Sequence, residues 1–178
     1  DIFFKNPLVI LNNMHYNKRH INWHIWLKLI LYVSKEENSM VELIVGKKGK
    51  GKTKVLLDKV NGAVKDASGS IVYLDKSTKH MYELNNKVRL IDVSGFPVKN
   101  ADEFVGFICG ILSQDHDLEQ IYLDSFLKVA KLEDKDITGT LGQLDEIGKQ
   151  FNVTFVISVS LDKEEIPEAL HGKISVAL

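Results

Sequence analysis

From Met40 onward, short apolar runs alternate with stretches in which apolar residues recur every three or four positions. Val41-Glu42-Leu43-Ile44-Val45 reads as a strand, and the stretch carrying Val55, Leu56, Val60 and Val64 on one face reads as a helix. Ile71-Val72-Tyr73-Leu74 and Val88-Arg89-Leu90-Ile91 are two further strands. Asn100 with Glu103 three residues on predicts a capped helix start, and Phe104, Ile108, Ile111 and Leu112 follow at helical spacing. Gln120-Ile121-Tyr122-Leu123 is a strand. Ile137, Leu141, Leu144, Ile147 and Phe151 mark an amphipathic helix, and Val153 to Val159 is a nearly continuous apolar run of the kind buried on both faces. A short helix through Glu164 to Leu170, ending at His171-Gly172, and a last strand from Ile174 to Leu178 complete the pattern. Such alternation, without a fixed-period repeat or low-complexity linker, predicts a three-layer α/β domain with a mostly parallel central sheet over residues 40–178.

Residues 1–39 have a different character. They hold Trp23 and Trp26, three of the six histidines, and only three acids, Asp1, Glu36 and Glu37. The apolar stretch from Ile21 to Val33 is broken by His24 and Lys28, is too short to span a bilayer, and is followed by no small-residue cleavage site. An amphipathic helix for a membrane surface or a partner is one expectation. A second comes from the codons: Lys35-Glu36-Glu37 back-translates as a purine-rich tract just ahead of Met40, like a bacterial ribosome-binding site. On that basis Met40 is expected to be the start and residues 1–39 a translated leader. The apolar run at Leu178 gives a matching expectation that the C-terminus is cut short.

Composition narrows the function classes. The 178 residues are 44% hydrophobic and 26% charged, enough for one globular domain with a real core. Twenty-three basic against 24 acidic side chains give a net charge of -1, unlike a dedicated nucleic-acid binder. One cysteine, Cys109, permits neither an internal disulfide nor a cysteine-rich zinc site, which suits a cytoplasmic setting. Arginine is scarcer still: beyond residue 40 only Arg89 remains, so chemistries needing several guanidinium clamps are disfavoured.

The chemistry concentrates at Gly46-Lys47-Lys48-Gly49-Lys50-Gly51-Lys52-Thr53, a full match to G-x-x-x-x-G-K-[ST] between a predicted strand and a predicted helix. The glycines let the backbone form a concave nest of N–H groups, and the helix behind adds the positive end of its dipole. Lys52 is expected to reach phosphate oxygens, and Thr53 to set its hydroxyl on Mg²⁺.

On these residues the chain resembles the P-loop NTPases over residues 40–178, and small bacterial ATP-binding proteins of this size are similar to it. Some of those carry a twitching-motility-type ATPase label, but the chain lacks the N-terminal domain and the acidic and histidine boxes of such hexameric motors. The resemblance implies ATP and Mg²⁺ as ligands and a second element, an apolar strand ending in an aspartate for the metal shell. Strands end at Asp75, Asp92 and Asp124. Asp124 is preferred, because a complete strand and helix separate it from the loop, as in the division with a strand inserted beside the first. Asp92 is the rival, since Asp92-Val93-Ser94-Gly95 fits the D-x-x-G switch of GTPases.

Hydrolytic members of that division carry a glutamate at or near the next position. Here it is Ser125, with Glu133 and Asp134 further along. Slow hydrolysis, or a nucleotide-dependent switch, is therefore the expectation, with Lys52 and Asp124 as the catalytic pair. Ser158 or Ser160 falls where such proteins place a polar γ-phosphate sensor, although an ordinary strand-end serine satisfies the same pattern. His80, His116 and His171 show no ligand spacing and are expected at the surface or as satisfied core residues, and Cys109 as a small core hydrophobe. Alternatives are a nucleotide or small-molecule kinase, a GTPase-like switch, and a non-catalytic protein-binding module that retains nucleotide. The guanine motif [NT]-K-x-D survives only as the aspartate of Val159-Ser160-Leu161-Asp162.

Overall fold

A computed structural model of the chain describes residues 39–178. The expectations for residues 1–39 lie, except for Ser39, outside the described residues. Six strands, β1 (Val41–Val45), β2 (Ser70–Asp75), β3 (Val88–Asp92), β4 (Leu118–Leu123), β5 (Thr154–Val159) and β6 (Ile174–Ala177), form one sheet in the order β3-β2-β4-β5-β1-β6. Every pairing is parallel. The helices are α1 (Lys52–Ala63), α2 (Ala101–Gln114), α3 (Phe126–Val129) and α4 (Thr138–Phe151). This is the three-layer α/β arrangement that the alternating pattern predicts.

The layers follow from the two-residue side-chain period of a strand. On one face Val41, Leu43, Val45, Val72, Leu74, Ile121, Leu123, Phe155 and Ile157 form a core with Phe104 and Ile108 of α2, Phe126 of α3, and Leu141 and Leu144 of α4. On the other face Ile44, Ile71, Tyr73, Tyr122 and Val156 pack with Leu56, Leu57 and Val60 of α1. The inner strands are covered on both sides, which is why they read as apolar runs rather than alternating ones.

The start of α2 is as expected: Asn100 accepts a hydrogen bond from the Glu103 N–H at 2.8 Å, while Glu103 accepts from the Lys99 N–H at 2.7 Å. Cys109 departs from expectation. It is exposed, because one residue past the buried Ile108 the helix has turned about 100° away from the sheet. The short helix expected through Glu164 to Leu170 is two 3₁₀ segments, Lys163–Glu165 and Glu168–Lys173. Pro167 separates them, since it has no N–H and holds Ile166 before it in an extended conformation. The four-residue α3 has no counterpart in the sequence pattern, being too short to show a period.

Gly148, in the last turn of α4, has a packing reason. A Cβ there would lie 2.6 Å from the Met40 Cβ and 2.7 Å from the Val153 carbonyl oxygen. Gly148→Ala is therefore expected to cost about 2 kcal/mol as strand and helix are forced apart. Urea unfolding at pH 7 checks this; a midpoint unchanged from the parent would show that the contact is loose.

Candidate functional site

The loop after β1 needs the backbone freedom of its glycines. Gly49 and Gly51 have φ of 89° and 92°, and a Cβ on either would meet nothing within 4 Å, so it is the backbone conformation and not crowding that favours glycine here. Gly46, at φ 145°, is constrained on both counts: its N–H donates to the Leu161 carbonyl at 2.7 Å, and a Cβ would press on the Leu178 carbonyl oxygen at 2.8 Å. Helix α1 starts directly behind the loop, with Gly51 as its N-cap residue.

Lys52 is buried, and its ammonium donates to the carbonyls of Gly46 at 2.6 Å and Lys47 at 2.9 Å. Burial lowers its pKa, opposed by the negative charges of Asp124 and Asp162. The side chain thus folds back over its own loop, where a multiply charged anion can replace the two neutral carbonyls as its partner. Lys47 pairs with Asp162 at 2.8 Å on the surface, an exposed contact of small energetic weight. Lys48 and Thr53 line the cleft in front of the loop; Lys50 is exposed.

Across the cleft the strand period again decides what faces what. Asp75 ends β2 in phase with Ile71 and Tyr73; Asp124 follows β4 in phase with Tyr122; Ser158 lies in β5 in phase with Val156. All three therefore belong to the α1 face, at the carboxyl ends of their strands. Asp124 is 4% exposed. Its Oδ1 accepts from Ser158 Oγ at 2.6 Å and from the Ser125 N–H at 2.7 Å, and its Oδ2 accepts from the Tyr73 hydroxyl at 3.3 Å. Ser125, at φ 54°, turns the chain sharply after the strand. Of the two candidate sensors, Ser158 is hydrogen-bonded to Asp124, whereas Ser160 lines the cleft.

Asp75, one of three strand-end acids in the sequence, is also buried, 3% exposed, and its carboxylate lies beside that of Asp124. Burial raises its pKa, the Lys76 N–H at 2.7 Å opposes this, and the charge of Asp124 adds to the rise. His80, set aside for want of ligand spacing, joins the two aspartates: one potential ligand atom from each lies within 4.8 Å of the others. Spacing along the chain could not reveal this group, because β2 and β4 are neighbours only in the folded sheet.

Asp92 belongs elsewhere. Its strand is the sheet edge, four positions from β1, or roughly 19 Å at 4.8 Å per strand. Its carboxylate caps the Val93–Gly95 turn through Ser94 N at 2.9 Å and faces a separate groove of about 570 Å³ with Phe96 and Phe107. Asp124, by contrast, is two positions from β1, with β5 between. The main cleft measures about 910 Å³ and is lined by Gly49, Lys52, Thr53, His80, Asp124 and Ser160, and also by Glu133 and Asp134. Five further lysines, Lys48, Lys76, Lys79, Lys128 and Lys135, also open into it and outnumber the three acids, so the cleft suits a multiply charged anion.

No protein-family model matches the chain, and no curated protein matches it in sequence. Among the described residues no helix is long and apolar enough to cross a membrane.

Proposed function

We propose that the chain is a cytoplasmic P-loop protein that binds ATP with Mg²⁺ and acts as a slow ATPase or a nucleotide-dependent switch. One observation carries this reading. A complete G-x-x-x-x-G-K-T loop joins a buried strand to a helix and faces, across one inserted strand and a basic cleft, a buried aspartate. The loop N–H groups and the α1 dipole are the cradle for the β-phosphate, and Lys52 exchanges its two carbonyl partners for phosphate oxygens. Thr53 would hold Mg²⁺ directly and Asp124 through water. Held there, Mg²⁺ would supply charge neutralisation of the phosphates and polarisation of the terminal phosphoryl group. Tyr73, Ser125 and Ser158 fix the Asp124 carboxylate in one orientation.

The residue after Asp124 is Ser125, which donates its backbone N–H to Asp124 and offers no carboxylate for orienting water; Glu133 and Asp134 line the cleft further along the chain, and slow turnover is the reading we propose. ATP is favoured over GTP because Asp162, the remnant of a guanine motif, is engaged by Lys47 and caps the 163–165 turn.

Titrating Mg²⁺ at fixed ATP tests the assignment of the acid. Asp124→Asn is expected to weaken the Mg²⁺-dependent part of ATP binding roughly tenfold, about 1.4 kcal/mol, through loss of the charge that holds the metal's waters. Asp92→Asn should leave it unchanged and lose at most about 1 kcal/mol of stability from its cap. A larger binding loss at Asp92 than at Asp124 would support the GTPase-like alternative.

A further inference from the structure

Asp75 and Asp124 place two buried carboxylates side by side, and among the described residues neither forms an ion pair. Buried charge of one sign is costly unless a counter-charge meets it. Lys52 does not supply that counter-charge by direct contact, since its ammonium is turned onto the carbonyls of Gly46 and Lys47. In each carboxylate one oxygen is well bonded: Asp75 Oδ1 by the Lys76 N–H at 2.7 Å, Asp124 Oδ1 by Ser158 and Ser125. Asp124 Oδ2 accepts a long bond from Tyr73 at 3.3 Å and Asp75 Oδ2 a long bond from Ser77 Oγ at 3.4 Å, the Ser125 side chain being a further hydrogen-bond partner of the Asp75 carboxyl.

The third member gives the group its character. His80 Nδ1 lies 2.6 Å from Glu83 Oε1. An ionised carboxylate only accepts, so Nδ1 is the donor in this contact and Nε2 is the ring nitrogen available to bind a metal. A carboxylate that fixes one ring nitrogen and leaves the other for a metal is the support that metal-bound imidazoles use, and the ring here stands with two more carboxylates in one group.

We propose that Asp75, His80 and Asp124, backed by Glu83, form a binding site for a first-row divalent transition ion of the zinc and cobalt class, filled without any nucleotide. The mixed nitrogen and oxygen donor set selects such an ion over Mg²⁺, which prefers oxygen alone. Donors about 2.1 Å from a tetrahedral ion stand roughly 3.4 Å apart. A group already within 4.8 Å closes to that spacing by small side-chain rotations, most readily at His80, which lies in the β2–β3 connection rather than in the sheet. A fourth position is left toward the cleft for water or an anionic ligand. The site shares Asp124 with the proposed Mg²⁺ shell but does not depend on nucleotide binding.

The test uses the full chain, stripped with chelator and titrated with Co²⁺ at neutral pH in the absence of nucleotide. The expected result is one Co²⁺ per chain with the visible bands of a low-coordinate ion, displaced by Zn²⁺ and not by millimolar Mg²⁺. His80→Ala and Asp75→Asn should each weaken Co²⁺ binding roughly 100-fold, and Glu83→Gln roughly tenfold through the lost orientation of the ring. Melting curves confirm folding, and His80 and Glu83, both outside the core, keep the test decisive if Asp75→Asn unfolds. Absence of Co²⁺ binding, parent-like affinity in His80→Ala, or equal displacement by Mg²⁺ would each overturn the site. Mg-ATP binding by the parent is measured separately, so failure of the nucleotide reading is distinguishable from failure of this one.

Discussion

Lys52→Ala is expected to abolish stabilisation by Mg-ATP while leaving the melting temperature of the nucleotide-free protein close to that of the parent. The two halves have different causes. In the nucleotide-free chain the ammonium donates to two loop carbonyls, but burial lowers its pKa, so removing it gives up two hydrogen bonds and relieves a desolvated charge. Those changes oppose each other, and the net effect should stay within about 1 kcal/mol. With triphosphate present nothing compensates. Two charge-assisted bonds to phosphate oxygens are worth about 3 kcal/mol together, roughly a 100-fold loss of affinity. Isothermal titration of parent and variant with Mg-ATP checks the first half and a melt without nucleotide the second. Parent-like affinity in the variant would mean that the loop does not hold phosphate.

The second large effect lies away from the cleft. Asp145, on α4, accepts from Ser39 Oγ at 3.0 Å and the Met40 N–H at 2.8 Å, and pairs with Lys149 at 3.0 Å and Lys173 at 3.1 Å. One carboxylate thus ties the entry to β1, the helix over it and the segment before β6. Burial pushes its pKa up, but hydrogen bonds from Lys149, Lys173 and Ser39 outweigh that and hold it at about 2. The folded value lies below the usual unfolded one of about 3.9. Its contribution is therefore fully present above that unfolded value and is lost as pH falls through about 2. Asp145→Ala should cost about 3 kcal/mol at pH 7, since two partly buried cations and a backbone N–H each lose one acceptor. At pH 2 the gap between parent and variant should be much smaller. Urea unfolding at the two pH values decides; a loss under about 0.5 kcal/mol at pH 7 would show that the network carries little weight.

What the sequence made legible follows from distance along the chain. The phosphate-type loop is local: its glycines, Lys52 and Thr53 fall within eight consecutive residues, and the strand before and helix after announce themselves by period. The preference for Asp124 rested on a strand and helix lying between it and the loop along the chain, whereas the strand that separates β4 from β1 in the sheet is β5, which follows Asp124 in sequence. Strand phase even fixes the shared face of Asp75, Asp124 and Ser158, once β2, β4 and β5 are known to be neighbours. That neighbourhood is the part sequence could not give. Asp75 and Asp124 are 49 residues apart and meet only because β2 pairs with β4, so their proximity to His80 left no spacing to read. Asp145 was hidden for the same reason, with partners at Ser39 and Lys173. Cys109 was expected in the core because it sits among apolar residues in sequence, next to Ile108 and two positions from Ile111, but α2 buries one face and turns its cysteine and two glycines, Gly106 and Gly110, outward.

The central claim, that the loop and the acid across from it hold a nucleoside triphosphate and its metal, is tested most directly by thermal shift of the parent chain with ATP, ADP, GTP and GDP, each with and without Mg²⁺. A ligand that binds only the folded state at 100 times its Kd stabilises by about 2.7 kcal/mol, which is readily seen as a higher melting temperature. The account predicts the largest rise with Mg-ATP, a smaller one when Mg²⁺ is withheld, and less with Mg-GTP than with Mg-ATP. No shift with any nucleotide at millimolar concentration would contradict it.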